Sequence, residues 1–83
     1  MQSDSFMPTR IRFFREVQQA TESQALLNSH GVKNYTRTRT KQTAKQGEEP
    51  YGVDLYVLRD DQIEEAHKIM DYSFGKEFGE KIA

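Results

Sequence analysis

Threonine and basic residues alternate near the middle of this chain, in the stretch TRTRTKQTAK that extends from Thr36 to Lys45. Alternation with a period of two is typical of a β-strand, because successive side chains point to opposite faces of a sheet. In such a strand Arg37 and Arg39 share one face with Tyr35, and the threonines share the other. Guanidinium groups bind phosphates and carboxylates, and aromatic rings stack on nucleic-acid bases. These residue types are therefore suited to binding an anionic partner.

Two further stretches contribute similar residue types. RIRFFREV begins at Arg10 and VDLYVL begins at Val53, and both alternate as strands do, although Phe14 interrupts the alternation of the first. The alternation predicts that Ile11 and Phe13 face a core, with the residues between and beyond them on the opposite face. Together the three strands predict one open sheet face. The candidate binding residues on that face are Arg12, Phe14, Tyr35, Arg37, Arg39 and Tyr56.

Two interpretations of this face are open. Single-stranded RNA readers place aromatic rings and arginines on a bare sheet, so the face resembles a nucleic-acid-binding surface. Asp54, however, lies in the middle of the same face and would repel phosphate. The alternative is that polar residues keep an exposed antiparallel face in water and that charges on an outer strand prevent edge-to-edge aggregation. We favour the second interpretation for the arginines and keep nucleic-acid binding as the alternative.

The segment from Arg39 to Ala44, RTKQTA, is similar to the start of the amino-terminal tail of a core histone. Mimicry of that tail would make the segment a ligand for histone-modifying enzymes. The match is short and internal, and it lacks the free amino end that several tail readers bind. We therefore interpret the similarity as a coincidence.

The remaining titratable residues form no pattern that predicts catalysis or metal binding. His30 lies near a predicted helix end, and His67 lies on a helix where Glu64 or Asp71 is one turn away. Zinc needs three or four ligands, and no tight cluster supplies them. Asp61 is explained as a helix cap. Because there is also no cysteine, nucleophile motif or phosphate-binding glycine loop, we expect a non-enzymatic protein without a metal or cofactor.

Composition and charge restrict the class of protein. The chain has 83 residues, 30% of them charged and 35% hydrophobic, which corresponds to one small domain. The absence of cysteine fits a reducing compartment, and no apolar run approaches the roughly 20 residues of a membrane span. We therefore expect a cytoplasmic protein without a membrane segment. Residues 1–45 hold eight Lys/Arg and three Asp/Glu, whereas residues 46–83 hold four and ten, so the two halves attract each other.

Two helical patterns separate the strands. QQATESQALLNSHG predicts a weakly apolar helix that ends at Gly31. The second helix has the clearer stripe, since Ile63, Ala66 and Met70 recur at spacings of three and four. The order strand, helix, strand, strand, helix then predicts an α+β fold, a two-layer β-α-β-β-α sandwich.

The crossover rule gives an antiparallel sheet in the order 1-3-2, which is a ferredoxin-like fold with the fourth strand missing. We predict a flexible leader over residues 1–9, the domain over residues 10–75, and a C-terminal tail over residues 76–83 that is a short helix or frayed. Met1 and Met7 are both candidate start residues. Strand one is then an unpaired edge, through which a weak homodimer would form.

The pieces ESQALLNSHGV and GVDLYVLRDDQIEEAHKIM resemble small bacterial domains that are classed as signal-transducing and whose function is unknown. The region from Ile11 to Phe74 is also similar in order and length to the cytoplasmic N-terminal domain of bacterial rhomboid proteases. Neither family has a catalytic motif that would transfer functional residues to this chain. We therefore expect a cytoplasmic interaction or regulatory domain that binds a protein partner or itself, with single-stranded nucleic-acid binding as the alternative.

Overall fold

The computed structural model describes residues 8–82 of the chain. Residues 1–7 of the predicted leader lie outside the described residues. Thr9, the last residue of the predicted leader, belongs to the first strand. A short 3-10 turn precedes the second helix. The elements follow in the order β1 (Thr9–Phe14), α1 (Val17–Ser29), β2 (Asn34–Arg39), β3 (Gly52–Val57), α2 (Ile63–Phe74) and β4 (Glu80–Lys81).

The strands form one antiparallel sheet in the order β2-β3-β1-β4, and both helices pack on the same face of it. We call that face the helix side and the opposite face the open face. The prediction of a small α+β domain with two helices and an antiparallel sheet is confirmed. β3 lies between β1 and β2 as predicted. The prediction of three strands is wrong, because residues 80 and 81 form β4 beside β1.

The fourth strand forms because the chain turns back after α2. Gly79 adopts a positive φ angle of 79°, which glycine tolerates without steric cost. Beside it, Phe78 packs against Phe14 with ring centroids 5.7 Å apart. The amide of Ile82 then donates a hydrogen bond to the carbonyl of Ile11 at 2.9 Å. The C-terminal segment thus forms a turn and a strand, and β1 is not the unpaired edge on which the predicted homodimer depends.

An irregularity in β1 changes which of its side chains reach the core. The pairing with β3 shifts register between Arg10 and Arg12, so Ile11 is an extra residue in the strand. Such a β-bulge interrupts the alternation of faces. As a result Arg12 joins Ile11 on the helix side, Phe13 lies on the open face and Phe14 enters the core. The predicted faces of these last three residues are therefore wrong.

The first helix follows its predicted pattern. α1 buries Ala20, Ser23 and Leu27 against the sheet. Its last residue is Ser29; Gly31 in the turn that follows has a φ angle of 76°, and the amide of Val32 donates to the carbonyl of Leu27 at 2.9 Å. This is the hydrogen-bonded helix ending that glycine makes possible, and it returns the chain to the core.

The second helix buries Ala66 and Met70, as its apolar stripe predicts. Its start differs from the prediction, because Gln62 occupies the capping position. The Asp61 carboxylate instead pairs with Arg59 at 2.8 Å. The core that the helices and the sheet share consists of Ile11, Phe14, Ala20, Leu27, Val32, Val53, Leu55, Val57, Ala66 and Met70.

Candidate functional site

The open face brings together four of the six residues that the sequence predicts as a binding face. Tyr35, Arg37 and Arg39 extend from β2, and Tyr56 extends from β3. The strand register explains this, because Tyr35 lies directly opposite Tyr56 and Arg37 lies opposite Asp54. Paired residues of an antiparallel sheet share a face.

The other two predicted binding residues, Arg12 and Phe14, are fully buried on the helix side. Phe14 belongs to the core, and Arg12 contacts α2. The bulge in β1 turns both side chains away from the open face. Neither is accessible to a ligand that approaches that face.

The side chain of Arg39 lies on the open face, where neighbouring residues bind its guanidinium group. Its Nε donates to Oδ2 of Asp54 at 3.1 Å and its Nη2 donates to Oδ1 at 2.5 Å, which makes a bidentate pair. Its Nη1 donates to the carbonyl of Glu49 at 3.2 Å, and its guanidinium carbon lies 3.9 Å from the centroid of the Phe13 ring. Arg39 therefore offsets the negative charge of Asp54 and is not free to bind a phosphate.

Tyr35 and Tyr56 stack on each other across the two strands. Their ring centroids are 4.9 Å apart and their planes are inclined by 4°. Cross-strand aromatic pairs of this kind stabilise a sheet and hold both rings in place. One face of each ring is covered by the other ring, so only the outer faces can contact a ligand.

Glu48 holds the loop that connects β2 to β3, residues 40–51, against the open face. Oε2 of Glu48 accepts a hydrogen bond from Nη2 of Arg10 at 2.8 Å, and Oε1 accepts one from the backbone N–H of Lys45 at 2.9 Å. The N–H of Lys45, and then Arg10, hold the pKa of Glu48 below its ordinary value, because both favour the carboxylate. The loop is therefore part of the site.

A cavity of about 400 Å³ lies on this face, with walls from both the sheet and the loop. Its volume is within the range of small-molecule binding sites. Basic side chains outnumber carboxylates by two among the lining residues. The sequence predicts Arg37 and Tyr56 as binding residues but misses Arg10 and Lys45, because only the folded loop brings these side chains together. The cavity is lined by Pro8, Arg10, Arg37, Thr38, Thr43, Lys45, Asp54 and Tyr56.

Arg37 differs from the other five arginines of the chain. Within residues 8–82, neither the guanidinium of Arg37 nor the ammonium of Lys45 takes part in an ion pair. The cavity thus contains two cationic groups that no carboxylate holds. The arginines that do form ion pairs are Arg10, Arg12, Arg15, Arg39 and Arg59.

A second charged group, the helix-side cluster, consists of Arg12, His67, Asp71 and Lys81. Nη2 of Arg12 donates to Nδ1 of His67 at 2.7 Å and to Oδ1 of Asp71 at 3.3 Å, and Nη1 donates to the Phe78 carbonyl at 3.1 Å. Nζ of Lys81 donates to the other oxygen of Asp71 at 2.9 Å. The hydrogen bonds from Lys81 and Arg12 hold the pKa of Asp71 below its ordinary value, and burial lowers the pKa of Arg12. The cluster connects β1, α2 and β4, so we interpret it as structural.

No group of three or more His, Cys, Asp and Glu residues within residues 8–82 is placed to hold a metal ion. In the same part of the chain, no helix combines the length and the hydropathy needed to cross a bilayer. Comparison of the chain with protein-family models, curated proteins and solved structures gave no match. Function is therefore inferred from the chemistry of the open face alone.

Proposed function

We propose that this chain is a non-enzymatic interaction or regulatory domain that binds an anionic ligand or partner in the cavity of the open face. The observation that carries the proposal is the state of Arg37, which lines the cavity and is the one arginine within residues 8–82 that forms no ion pair. Lys45 lines the same cavity and has no ion-pair partner in the described part of the chain. Like charges in one concave site repel each other, and a bound anion relieves that repulsion.

The polar groups of the cavity favour binding over catalysis. The hydroxyl of Thr43 accepts a hydrogen bond from the backbone N–H of Thr40 at 2.8 Å, and Asp54 is held by Arg39. A catalytic nucleophile needs an adjacent base that is free to take its proton, and this set of groups offers none. The arrangement therefore supports a role in recognition.

The strand order and the two crossover helices support a ferredoxin-like fold, with its fourth strand, as the finer description of the architecture. We also propose a cytoplasmic location, which is supported by the absence of cysteine. A protein that carries acidic groups is a possible partner for the same cavity.

Amide chemical shifts recorded during a titration test the proposed function. The probes are inorganic phosphate, a polyglutamate peptide and a mixed-sequence single-stranded oligonucleotide, each at low salt. We expect the shifts to concentrate around the cavity and to weaken as salt is added. Arg37→Gln should weaken binding about tenfold or more, because a hydrogen bond to a charged group contributes roughly 1.5–3 kcal/mol. Lys68→Gln changes an exposed residue of α2 and is the control. Shifts that lie away from the cavity, or that do not weaken as salt is added, would contradict the proposal.

Single-stranded nucleic acid is the second candidate, because the ring of Tyr56 borders the cavity next to Arg37. Base stacking on an aromatic side chain contributes about 1–3 kcal/mol. Tyr56→Leu should then weaken oligonucleotide binding by about tenfold while polyglutamate binding stays the same. An equal loss for both probes would remove base stacking as the mode of recognition.

A further inference from the structure

Resting on the function proposed above, we infer that the cavity binds a phosphorylated sugar, either as a free sugar phosphate or as part of a nucleoside monophosphate. The phosphate binds Arg37 and Lys45. A sugar hydroxyl donates a hydrogen bond to Asp54, and the body of the ligand lies against Tyr56. Three properties of the cavity support this ligand class: its charge, its carboxylate and its aromatic wall.

The charge of the cavity fits a phosphomonoester. Basic lining residues outnumber carboxylates by two, and Arg37 and Lys45 are the two lining cations that form no ion pair within residues 8–82. A phosphomonoester carries about 1.5 to 2 negative charges near neutral pH, whereas a single carboxylate carries one. Arginine presents several N–H donors in a plane that matches phosphate oxygens, and lysine adds a compact positive charge.

Asp54 favours a ligand that carries hydroxyl groups as well as a phosphate. Its two oxygens accept hydrogen bonds from Arg39 at 3.1 and 2.5 Å, and Nη1 of Arg10 lies 3.7 Å from Oδ2. A carboxylate oxygen has a second lone pair, so it can accept a further hydrogen bond. A bare anion has no donor for that position. A sugar hydroxyl has one, and a sugar phosphate places the donor and the dianion on the same small molecule.

The aromatic wall and the loop favour a small ligand over a polymer. Tyr56 is held in position by its stack on Tyr35, and its outer face offers an apolar surface to a sugar ring or a base. Lys45 and Thr43 close the cavity from the loop side, and Glu48 fastens that loop to β1 through Arg10. The cavity of about 400 Å³ is large enough for a ligand of this size.

Isothermal titration calorimetry at low salt tests the inference with ribose 5-phosphate, adenosine 5′-monophosphate, methyl phosphate and ribose. Methyl phosphate is the matched probe, because it has the same ionisable group and no hydroxyl. We expect ribose 5-phosphate to bind about tenfold more tightly than methyl phosphate, which corresponds to about 1.4 kcal/mol for the added hydroxyl and ring contacts. Ribose alone should show no measurable binding. Tighter binding of the nucleotide than of ribose 5-phosphate identifies a nucleoside monophosphate, and equal binding identifies a free sugar phosphate.

The protein variants avoid the buried pair of Arg39 and Asp54, because its loss would destabilise the domain and confuse the binding result. Arg37→Gln changes an exposed side chain and should weaken ribose 5-phosphate binding about tenfold or more. Glu48→Gln should weaken it several-fold, because the hydrogen bonds that hold the Lys45 loop become weaker. Lys68→Gln should leave it unchanged.

Two results separate the inference from the proposed function. If polyglutamate or the oligonucleotide binds at the cavity but ribose 5-phosphate and the nucleotide do not, the sugar phosphate is overturned and anion binding stands. If no anionic probe binds, both are overturned. Equal affinity for ribose 5-phosphate and methyl phosphate would also overturn the inference, because Asp54 and Tyr56 would then contribute nothing.

Discussion

The open face and the helix side each bury an arginine against an aspartate, but the two pairs have different surroundings. On the open face Arg39 and Asp54 come from adjacent strands, and their side chains are 3% and 6% exposed. On the helix side Arg12 pairs with Asp71, whose side chain is 20% exposed and is shared with Lys81. The first pair joins neighbouring strands of the sheet, with Arg10 of β1 3.7 Å from Asp54, whereas the second holds β4 to β1 and α2.

This difference indicates which region can bind a ligand. In the helix-side cluster, Lys81 and Arg12 both donate to the carboxylate of Asp71. On the open face Arg39 binds the carboxylate of Asp54. Arg37, two residues earlier on the same strand, has no carboxylate partner among residues 8–82. We therefore interpret the helix-side cluster as the group that holds β4 in place. The open face is the surface whose unpaired positive charge can bind a ligand.

Asp54→Ala is expected to give the largest loss of stability, because it leaves Arg39 buried without its partner. Removal of one member of a buried ion pair costs about 3–5 kcal/mol. That is a large share of the roughly 5–15 kcal/mol that stabilises a small domain. Urea denaturation followed by circular dichroism measures the change. The control is Asp61→Asn, which removes the exposed partner of Arg59 and should leave the free energy of unfolding nearly unchanged.

A double variant sharpens this prediction. Arg39→Met combined with Asp54→Leu replaces the pair by apolar side chains and should recover much of the lost stability, since no buried charge is then left alone. If Asp54→Ala lowers the free energy of unfolding as little as the Asp61 control does, the buried pair contributes less to stability than expected. Failure of the double variant to recover any stability would point instead to a packing role for these side chains.

Arg12→Met should have a smaller effect on stability and a more local one. It removes the hydrogen bonds that Arg12 donates to Phe78, His67 and Asp71, at a cost of about 1–3 kcal/mol. The loss is limited because Asp71 is partly exposed and keeps its hydrogen bond from Lys81. Hydrogen exchange monitored by NMR should show that the amide of Ile82, which bonds to β1, loses protection before the amides of β2 and β3. A uniform loss of amide protection across the sheet would contradict the interpretation that Arg12 holds β4 to β1.

The fold could be predicted from the sequence where pairing is regular. Alternation gives the correct faces for β2 and β3, because these strands pair without a bulge. The same reasoning fails for Arg12 and Phe14, because the bulge in β1 reverses the faces of the residues that follow it. β4 is missed because Glu80 and Lys81 are too few to carry a strand pattern, and their position depends on the turn at Gly79.

The candidate site was harder to predict for a different reason. From the sequence, Arg37 and Arg39 are equally good candidates for binding residues, since both lie on one face of one strand. Their difference arises from the contacts of Arg39 with Asp54 and Phe13, which only the folded sheet brings together. Lys45 reaches the same cavity through the folded loop, and no local pattern marks it.

Acid should weaken both regions, through Glu48 on the open face and Asp71 on the helix side. The pKa of each carboxyl group lies below its ordinary value, chiefly through hydrogen bonds from the Lys45 backbone N–H and from Lys81. A group whose pKa is lower in the folded state stabilises the fold above its unfolded pKa, which is about 4.3 for Glu and 3.9 for Asp. That contribution is lost as the pH falls through the folded pKa. Free energies of unfolding measured from pH 7 to pH 3 should therefore fall below about pH 4.

Two variants isolate these groups. Glu48→Gln and Asp71→Asn each remove one titrating carboxyl, so each variant should differ most from the wild type near neutral pH and least near pH 3. A difference that does not change with pH would mean that the carboxylate charge is not what stabilises that region.

Arg37→Gln should have the smallest effect on stability, and the comparison with Arg39→Gln makes the result informative. The two residues share a strand and a face, but only Arg39 has a buried partner, Asp54. Arg37→Gln should change the free energy of unfolding by less than about 0.5 kcal/mol, as is usual for a surface substitution. Arg39→Gln should cost several-fold more, because the buried carboxylate of Asp54 then loses its bidentate partner and keeps only Arg10, at 3.7 Å. A large loss for Arg37→Gln would reveal a structural partner and would remove the free cation on which ligand binding depends. A binding defect without a stability defect is the result expected of a residue whose charge serves recognition.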